Sequence, residues 1–249
     1  MFSLRPSLSA GLVLGALAGA LGACGGDGGK PRDASPDTPA MCGGVTAFTG
    51  EMVDWDSTEA SFCGVNKAIW TVRSDTACTS ATAPNGRFQL QIPHQAQTVI
   101  DIVPPTVGSE CRGLSGMPMN TYQVPGVAIA SDAVVTGSAQ FSFRARAMVQ
   151  ARVTSMFAQI GQPFATDHGQ LVVHVVGTPR QVSISAGHAT AQRFDGSTWA
   201  AGDSGSDVFF PNVDRSGGAV AVSMTGTTVG TGSYTLEPGK LTYLSVIAQ

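Results

Sequence analysis

Phe88-Gln89-Leu90-Gln91-Ile92 alternates apolar and polar side chains without a break. A period of two puts one set on a buried face and the other in water, which predicts a strand. Just ahead of it, Pro84-Asn85-Gly86 predicts a tight turn. The same grammar predicts strands over Ala47 to Asp54, Ala68 to Arg73 and Thr98 to Val103, the last stopped by Pro104-Pro105. Residues 106–138 are rich in Gly, Pro and Ser and offer only short strand candidates, Tyr122-Gln123-Val124 and Val127-Ala128-Ile129. From Gly169 the β pattern returns over Leu171 to Val176, Val182 to Ser185, Val208 to Phe210, Ala219 to Met224 and Leu241 to Ile247. Glu237-Pro238-Gly239-Lys240 joins the last of these to Tyr234-Thr235-Leu236, with Pro and Gly at the two central positions of a turn.

The stretch between the two β regions carries two periods at once. Phe141, Phe143, Ala145, Ala147 and Val149 alternate as in a strand, while Val149, Val153, Met156, Phe157 and Ile160 recur at helical spacing. Ala, Arg, Gln and Met favour helix, and Gly161 followed by Pro163 is a helix stop. A helix over about 145–160 is therefore expected. The fold class that follows is mainly β, with two β-sandwich domains in tandem and a short intervening helix. The expected divisions are a first sandwich over 42–138, a connecting helix within 139–164 and a second sandwich over 165–249.

Within the first sandwich, three groups of residues resemble a known family. They are Gly50…Val53-Asp54, then Gly64…Ala68-Ile69-Trp70-Thr71-Val72, then Thr82…Asn85-Gly86-Arg87-Phe88…Leu90…Ile92-Pro93. Together they resemble the carboxypeptidase regulatory-like domain, a small transthyretin-like β-sandwich, over residues 44–105. Val65-Asn66-Lys67 stands where that family has Pro-Gly, and two pairs of cysteines are added, so this is a divergent version of the pattern. The resemblance implies a non-catalytic accessory module and transfers no active-site residue.

The chain opens differently. Met1 to Ala23 has a basic residue, Arg5, and then an apolar run from Leu8 to Leu21 that is too short to span a membrane. Leu21-Gly22-Ala23-Cys24 resembles the lipobox of bacterial lipoproteins. That resemblance implies removal of a signal peptide over 1–23, acylation of Cys24 (palmitate among the chains) and a lipid anchor. Several acyl chains hold a protein on a bilayer stably where one does not. Gly25 in place of Asp after the cysteine implies outer-membrane rather than inner-membrane placement. Residues 25–40 hold four Gly, three Pro and three Asp and no apolar side chain larger than Ala, so the segment 24–41 is expected to be a disordered linker.

Composition narrows the partners. Only 12% of the residues are charged and the formal net charge is −3, which gives no basic excess for nucleic acid. Of the five cysteines, Cys24 is assigned to lipid, and Cys42, Cys63, Cys78 and Cys111 remain. An even number in an exported chain predicts two disulfides, with three connectivities open. Antiparallel pairing of the first two strands favours Cys42–Cys78 and Cys63–Cys111.

Candidate chemistry is sparse. Gly202-Asp203-Ser204-Gly205 resembles the nucleophile loop of trypsin-like proteases. A Ser nucleophile needs a His base and an Asp to orient it, and His94, His168, His174 and His188 all lie outside that family's sequence context. Ser206 also replaces the second Gly of the motif. Turn formation is the plainer account of these residues, so Ser204 is not expected to act as a nucleophile. Asp195, Asp203, Asp207 and Asp214 crowd neighbouring loops and make Ca²⁺ the one cofactor to consider. His168 and His174 lack a third zinc ligand. Among Trp55, Trp70 and Trp199, the last is the candidate ligand contact, a ring able to stack on a sugar. The expected function is a membrane-anchored lipoprotein that is not an enzyme. It would bind or scaffold at the cell surface or in the periplasm, with a cell-wall or surface polysaccharide or a protein as partner. The alternative is a hydrolase using the loops over 195–214.

Overall fold

The computed structural model describes residues 46–58, 62–93, 97–105, 109–112, 118–122, 129, 131–136, 143–226, 228–229 and 231–249. The leader, Cys24, the linker, Cys42 and His94 lie outside the described residues, and so does the side chain of Cys111. Among the described residues no helix is long and apolar enough to cross a membrane.

The protein is mainly β. The first half supplies β1 (Thr46–Asp54), β2 (Ile69–Val72), β3 (Asp75–Ala81), β4 (Arg87–Ile92) and β5 (Gln97–Val103). It continues with β6 (Ser109–Arg112), β7 (Pro118–Tyr122), β8 (Ser131–Thr136) and β9 (Phe143–Ala147). After the helix α1 (Gln150–Gln159) come β10 (Gly169–Val176), β11 (Arg180–Ile184), β12 (Gln192–Phe194), β13 (Trp199–Ala201) and β14 (Ser204–Gly205). The chain ends with β15 (Asp207–Val213), β16 (Val220–Met224), β17 (Thr228–Val229), β18 (Gly232–Tyr234) and β19 (Leu241–Ala248). The strands expected around 47–54, 68–73, 88–92 and 98–103 are all present, as are those of the second half.

The strands do not divide where the sequence suggested. A single ten-stranded sheet runs β13-β12-β15-β10-β19-β8-β5-β2-β3, with β17 paired to β19. β8 is the junction. It pairs antiparallel with β5 on one side and parallel with β19 on the other. Strands assigned to two tandem sandwiches thus share one hydrogen-bonded sheet, and residues 39–249 form one compact unit. Two smaller sheets cover its faces, β4-β1-β9 on one and β14-β11-β16-β18 on the other.

The central strands feed two cores by alternation. Val172, Phe209, Tyr243 and Ala133 point into the core shared with Phe48, Met52, Phe88 and Phe143 of the three-stranded sheet. Leu171, Val173, Phe210, Leu244 and Val134 point into the core shared with Val182, Val220 and Val222 of the four-stranded sheet. Burial on both faces explains why β10 and β19 read as nearly unbroken apolar runs, as parallel pairs covered on both sides do. Trp70 lies in the first core with its ring stacked on Phe88 at 3.9 Å, and both rings are buried. Such an aromatic pair adds about 0.5–1.5 kcal/mol beyond its buried area.

The helix begins later than expected. β9 stays paired with β1 through Ala147, so the alternating residues Phe143, Ala145 and Ala147 are strand, and helix starts at Gln150. Both periods in that stretch were real and follow one another. The helix buries Val153, Met156 and Phe157 against the first core and stops at Gly161 as its sequence indicates.

The turn at Pro84-Asn85-Gly86 is held by close contact as well as by conformation. Gly86 has φ +78°, and a Cβ there would stand 2.1 Å from the Met52 carbonyl oxygen. Gly86→Ala should therefore lower the unfolding free energy by about 1–3 kcal/mol. The change should appear as a reduced urea midpoint at unchanged slope.

Candidate functional site

Register builds the site. On the face of the central sheet that meets the three-stranded sheet, Phe194 of β12 lies opposite Asp207 of β15, and Asp207 lies opposite His174 of β10. Directly opposed antiparallel residues bring their Cβ atoms to about 5 Å. His174 Nδ1 accordingly reaches Asp207 Oδ1 at 2.7 Å. From the covering sheet, Arg146 of β9 donates from Nη2 to Asp207 Oδ2 at 3.2 Å. Its Nη1 donates to the carbonyls of Trp55 and Ser57, at 3.3 and 3.0 Å. The guanidinium also sits 4.2 Å over the ring of Phe194.

The Arg146 and Asp207 side chains are only 2% and 3% exposed, so this is a buried ion pair. Removing one member of such a pair strands the other charge in a dry interior and costs about 3–5 kcal/mol. Burial by itself pushes the Asp207 carboxyl up. The hydrogen bond from His174, with the charges of His174 and Arg146, outweighs burial and brings it down to about 2. Asp207 is thus an anion hydrogen-bonded to His174 Nδ1, and that bond fixes the orientation of the imidazole ring. Nε2 makes no hydrogen bond among the described residues.

These groups line a cleft of about 810 Å³. Arg144 and Arg193 join Arg146 in its wall, with Ser204, Ser206, Thr58 and Asp195 on other sides and the rings of Phe62 and Phe194 between them. Both halves of the chain contribute, through the end of β1 and β9 on one side and through β10, β12 and β14 on the other.

Of the residues singled out in the sequence, His174, Asp195, Ser204 and Asp207 line this cleft. Gly202-Asp203-Ser204-Gly205 includes a two-residue strand in which Ser204 pairs with Gln181 of β11. Among the described residues the Ser204 hydroxyl makes no hydrogen bond to a histidine. The four aspartates are not gathered. Asp195 accepts from the backbone N–H groups of Thr198 and Ser197, at 2.7 and 2.9 Å, and from both hydroxyls, which holds its exposed carboxyl well below the usual range. Asp214 does the same with Ser216, Asp203 accepts from Gln181 at 2.9 Å, and Asp207 serves the buried pair. Among the described residues no group of three His, Cys, Asp or Glu side chains is placed to hold a metal ion. His168 lies beside Asp167 at the surface and His188 bonds the Ala189 carbonyl, so neither stands near His174's site. Trp199 is half-buried on β13, stacked on Trp55 at 4.3 Å and 12°, with its Nε1 donating to the Trp55 carbonyl at 3.4 Å. It borders a smaller hollow of about 380 Å³ with Arg152 and Ile160.

The sequence pointed to Asp207 only as one of four loop aspartates and to His174 only as an incomplete zinc ligand set, and it did not single out Arg146. Faint signals were present: one His inside the apolar run Leu171 to Val176, and arginines at alternate positions of Phe143-Arg144-Ala145-Arg146-Ala147. No protein-family model, curated protein or solved structure matches this chain.

The Asp207 carboxyl is depressed on folding, so its contribution is fully present above the unfolded value near 3.9 and is lost as pH falls through about 2. Between pH 5 and 1.5, urea titrations should lose roughly 2–3 kcal/mol from this group. Asp207→Asn should start about 3 kcal/mol less stable at neutral pH, and its stability should fall less over the same interval.

Proposed function

We propose that this protein is an exported, outer-membrane lipoprotein that binds or scaffolds without catalysis, and that the cleft around Arg146, Asp207 and His174 is its ligand-facing surface. The observation that carries the binding half is the cleft itself, whose wall is a buried, mutually oriented Arg–Asp–His constellation. A rigid β scaffold presenting polar groups at one open hollow is a binding architecture. The anchoring half rests on Leu21-Gly22-Ala23-Cys24 and the Gly/Pro/Asp-rich linker behind it. The partner in this proposal is a cell-wall or surface polysaccharide or a protein, and no cofactor enters it.

Two further expectations belong to the proposal. The carboxypeptidase regulatory-like resemblance is supported by the antiparallel β1–β4 pair facing β3-β2-β5 across one core. The pairing of Cys42 with Cys78 and of Cys63 with Cys111 rests on the even number of cysteines left in an exported chain.

One observation favours a second reading. His174 is already oriented by an ionised aspartate, and Ser204 and Ser206 line the same cleft, which is two-thirds of the machinery of a serine hydrolase. The binding reading expects no labelling of either serine by a fluorophosphonate probe. Labelling that disappears in His174→Ala would establish the hydrolase instead. For the anchor, Cys24→Ser should shift the protein from the membrane fraction to the soluble one, and the wild-type protein should carry the acyl mass on Cys24.

A further inference from the structure

We infer that the cleft takes an acidic saccharide, with a sugar carboxylate on Arg193 and a sugar hydroxyl on His174. This rests on the binding reading above and names the class of ligand. Most charges in the cleft are already spent. Arg146 and Asp207 neutralise each other. Arg144 donates from Nε to Glu51 Oε1 at 2.7 Å. Asp195 is held by the N–H and hydroxyl groups of its own turn. Arg193 differs from all of these: among the described residues no carboxylate pairs with it, although the chain as a whole carries a net charge of −3.

The free arginine is also positioned. Its stem lies along Gly202 and Gly205. A Cβ on Gly202 would stand 2.8 Å from Arg193 Cδ, and one on Gly205 would stand 3.4 Å from Arg193 Cβ. A side chain on Gly202 would displace the stem, Gly205 packs against it in ordinary contact, and Arg193 lines the cleft. A planar guanidinium fork matches a carboxylate in two parallel hydrogen bonds.

His174 supplies the second requirement. Its Nδ1 is engaged by the Asp207 carboxylate, which leaves Nε2 as the ring nitrogen available to a ligand. A sugar hydroxyl both donates and accepts, so it pairs with Nε2 wherever the ring proton lies. The hydroxyls of Ser204, Ser206 and Thr58 and the rings of Phe62 and Phe194 provide the mixed polar and flat apolar lining that a pyranose presents in return. The volume of about 810 Å³ lies in the range of small-ligand sites. An acidic peptide shares the carboxylate and lacks the array of hydroxyl donors, so it is the less suitable occupant.

Calorimetric titration of the full chain with three probes tests the assignment: an oligogalacturonate, its methyl ester, and a hexaglutamate peptide. The oligogalacturonate should bind most tightly. Arg193→Gln should weaken it roughly tenfold or more, the size of one lost charge-assisted hydrogen bond, and should leave the methyl ester unaffected. Arg193 is exposed, so a thermal melt should show this variant folded as the wild type. Equal affinity for the methyl ester, or no effect of Arg193→Gln, overturns the carboxylate assignment. Tighter binding of hexaglutamate reassigns the cleft to an acidic protein partner. If all three probes fail while the chain still captures neutral polysaccharides, the ligand class is wrong and the binding reading stands. If no polysaccharide or protein partner is captured at all, both fall.

Discussion

An arginine in a dry interior needs partners for its charge, and Arg146 finds them through both Nη atoms, while its Nε has no hydrogen-bond partner among the described residues. Its guanidinium reaches Asp207 on the central sheet, two carbonyls in the turn after β1 and the face of Phe194. Three pieces of chain with no local connection are thereby held in one arrangement. Because a buried charge without its partner is expensive, the arrangement has few low-energy alternatives. The orientation of His174 depends on it in turn, since Asp207 is the group both residues share.

The continuous central sheet explains why the cleft falls where it does. β8 carries hydrogen bonds to both halves of the chain, so neither half closes as a sandwich of its own. The three-stranded sheet and α1 cover one face and the four-stranded sheet covers the other. The row Phe194, Asp207 and His174 shares the face of the first core, and polar groups there can persist because Arg146 descends onto them. A second charged group, Arg73 with Asp101, Asp132, Glu237 and Lys240, ties β2, β5 and β8 to the turn before β19. Burial raises the Asp132 carboxyl, opposing the pull of those cations.

Strands with one wet face were legible. β1, β2, β4 and β5 alternate because one side meets the core and the other meets water. β8 was not legible, because Ser131 to Val135 are buried on both faces and alternation has nothing to record. β3 was missed for the opposite reason: it is a sheet edge with Cys78 as its one buried residue. β13 and β14, of three and two residues, are too short to carry a period. In the site, Arg146 fell inside the stretch expected as helix, and Asp207 looked like one more turn aspartate.

By itself the sequence determined the mainly β class, the turns at Asn85-Gly86 and Pro238-Gly239, and the stop at Gly161. These depend on side-chain periodicity and local backbone preference, which act over a few residues. Only the tertiary structure decided that β8 joins both halves, that Asp207 meets a histidine 33 residues away, and that it meets an arginine 61 residues away. Alternation records how deeply a face is buried and carries no information about which strand will lie against it. Partner and register are selected by packing and by the demand that every buried charge be answered, and both act only once distant segments have come together.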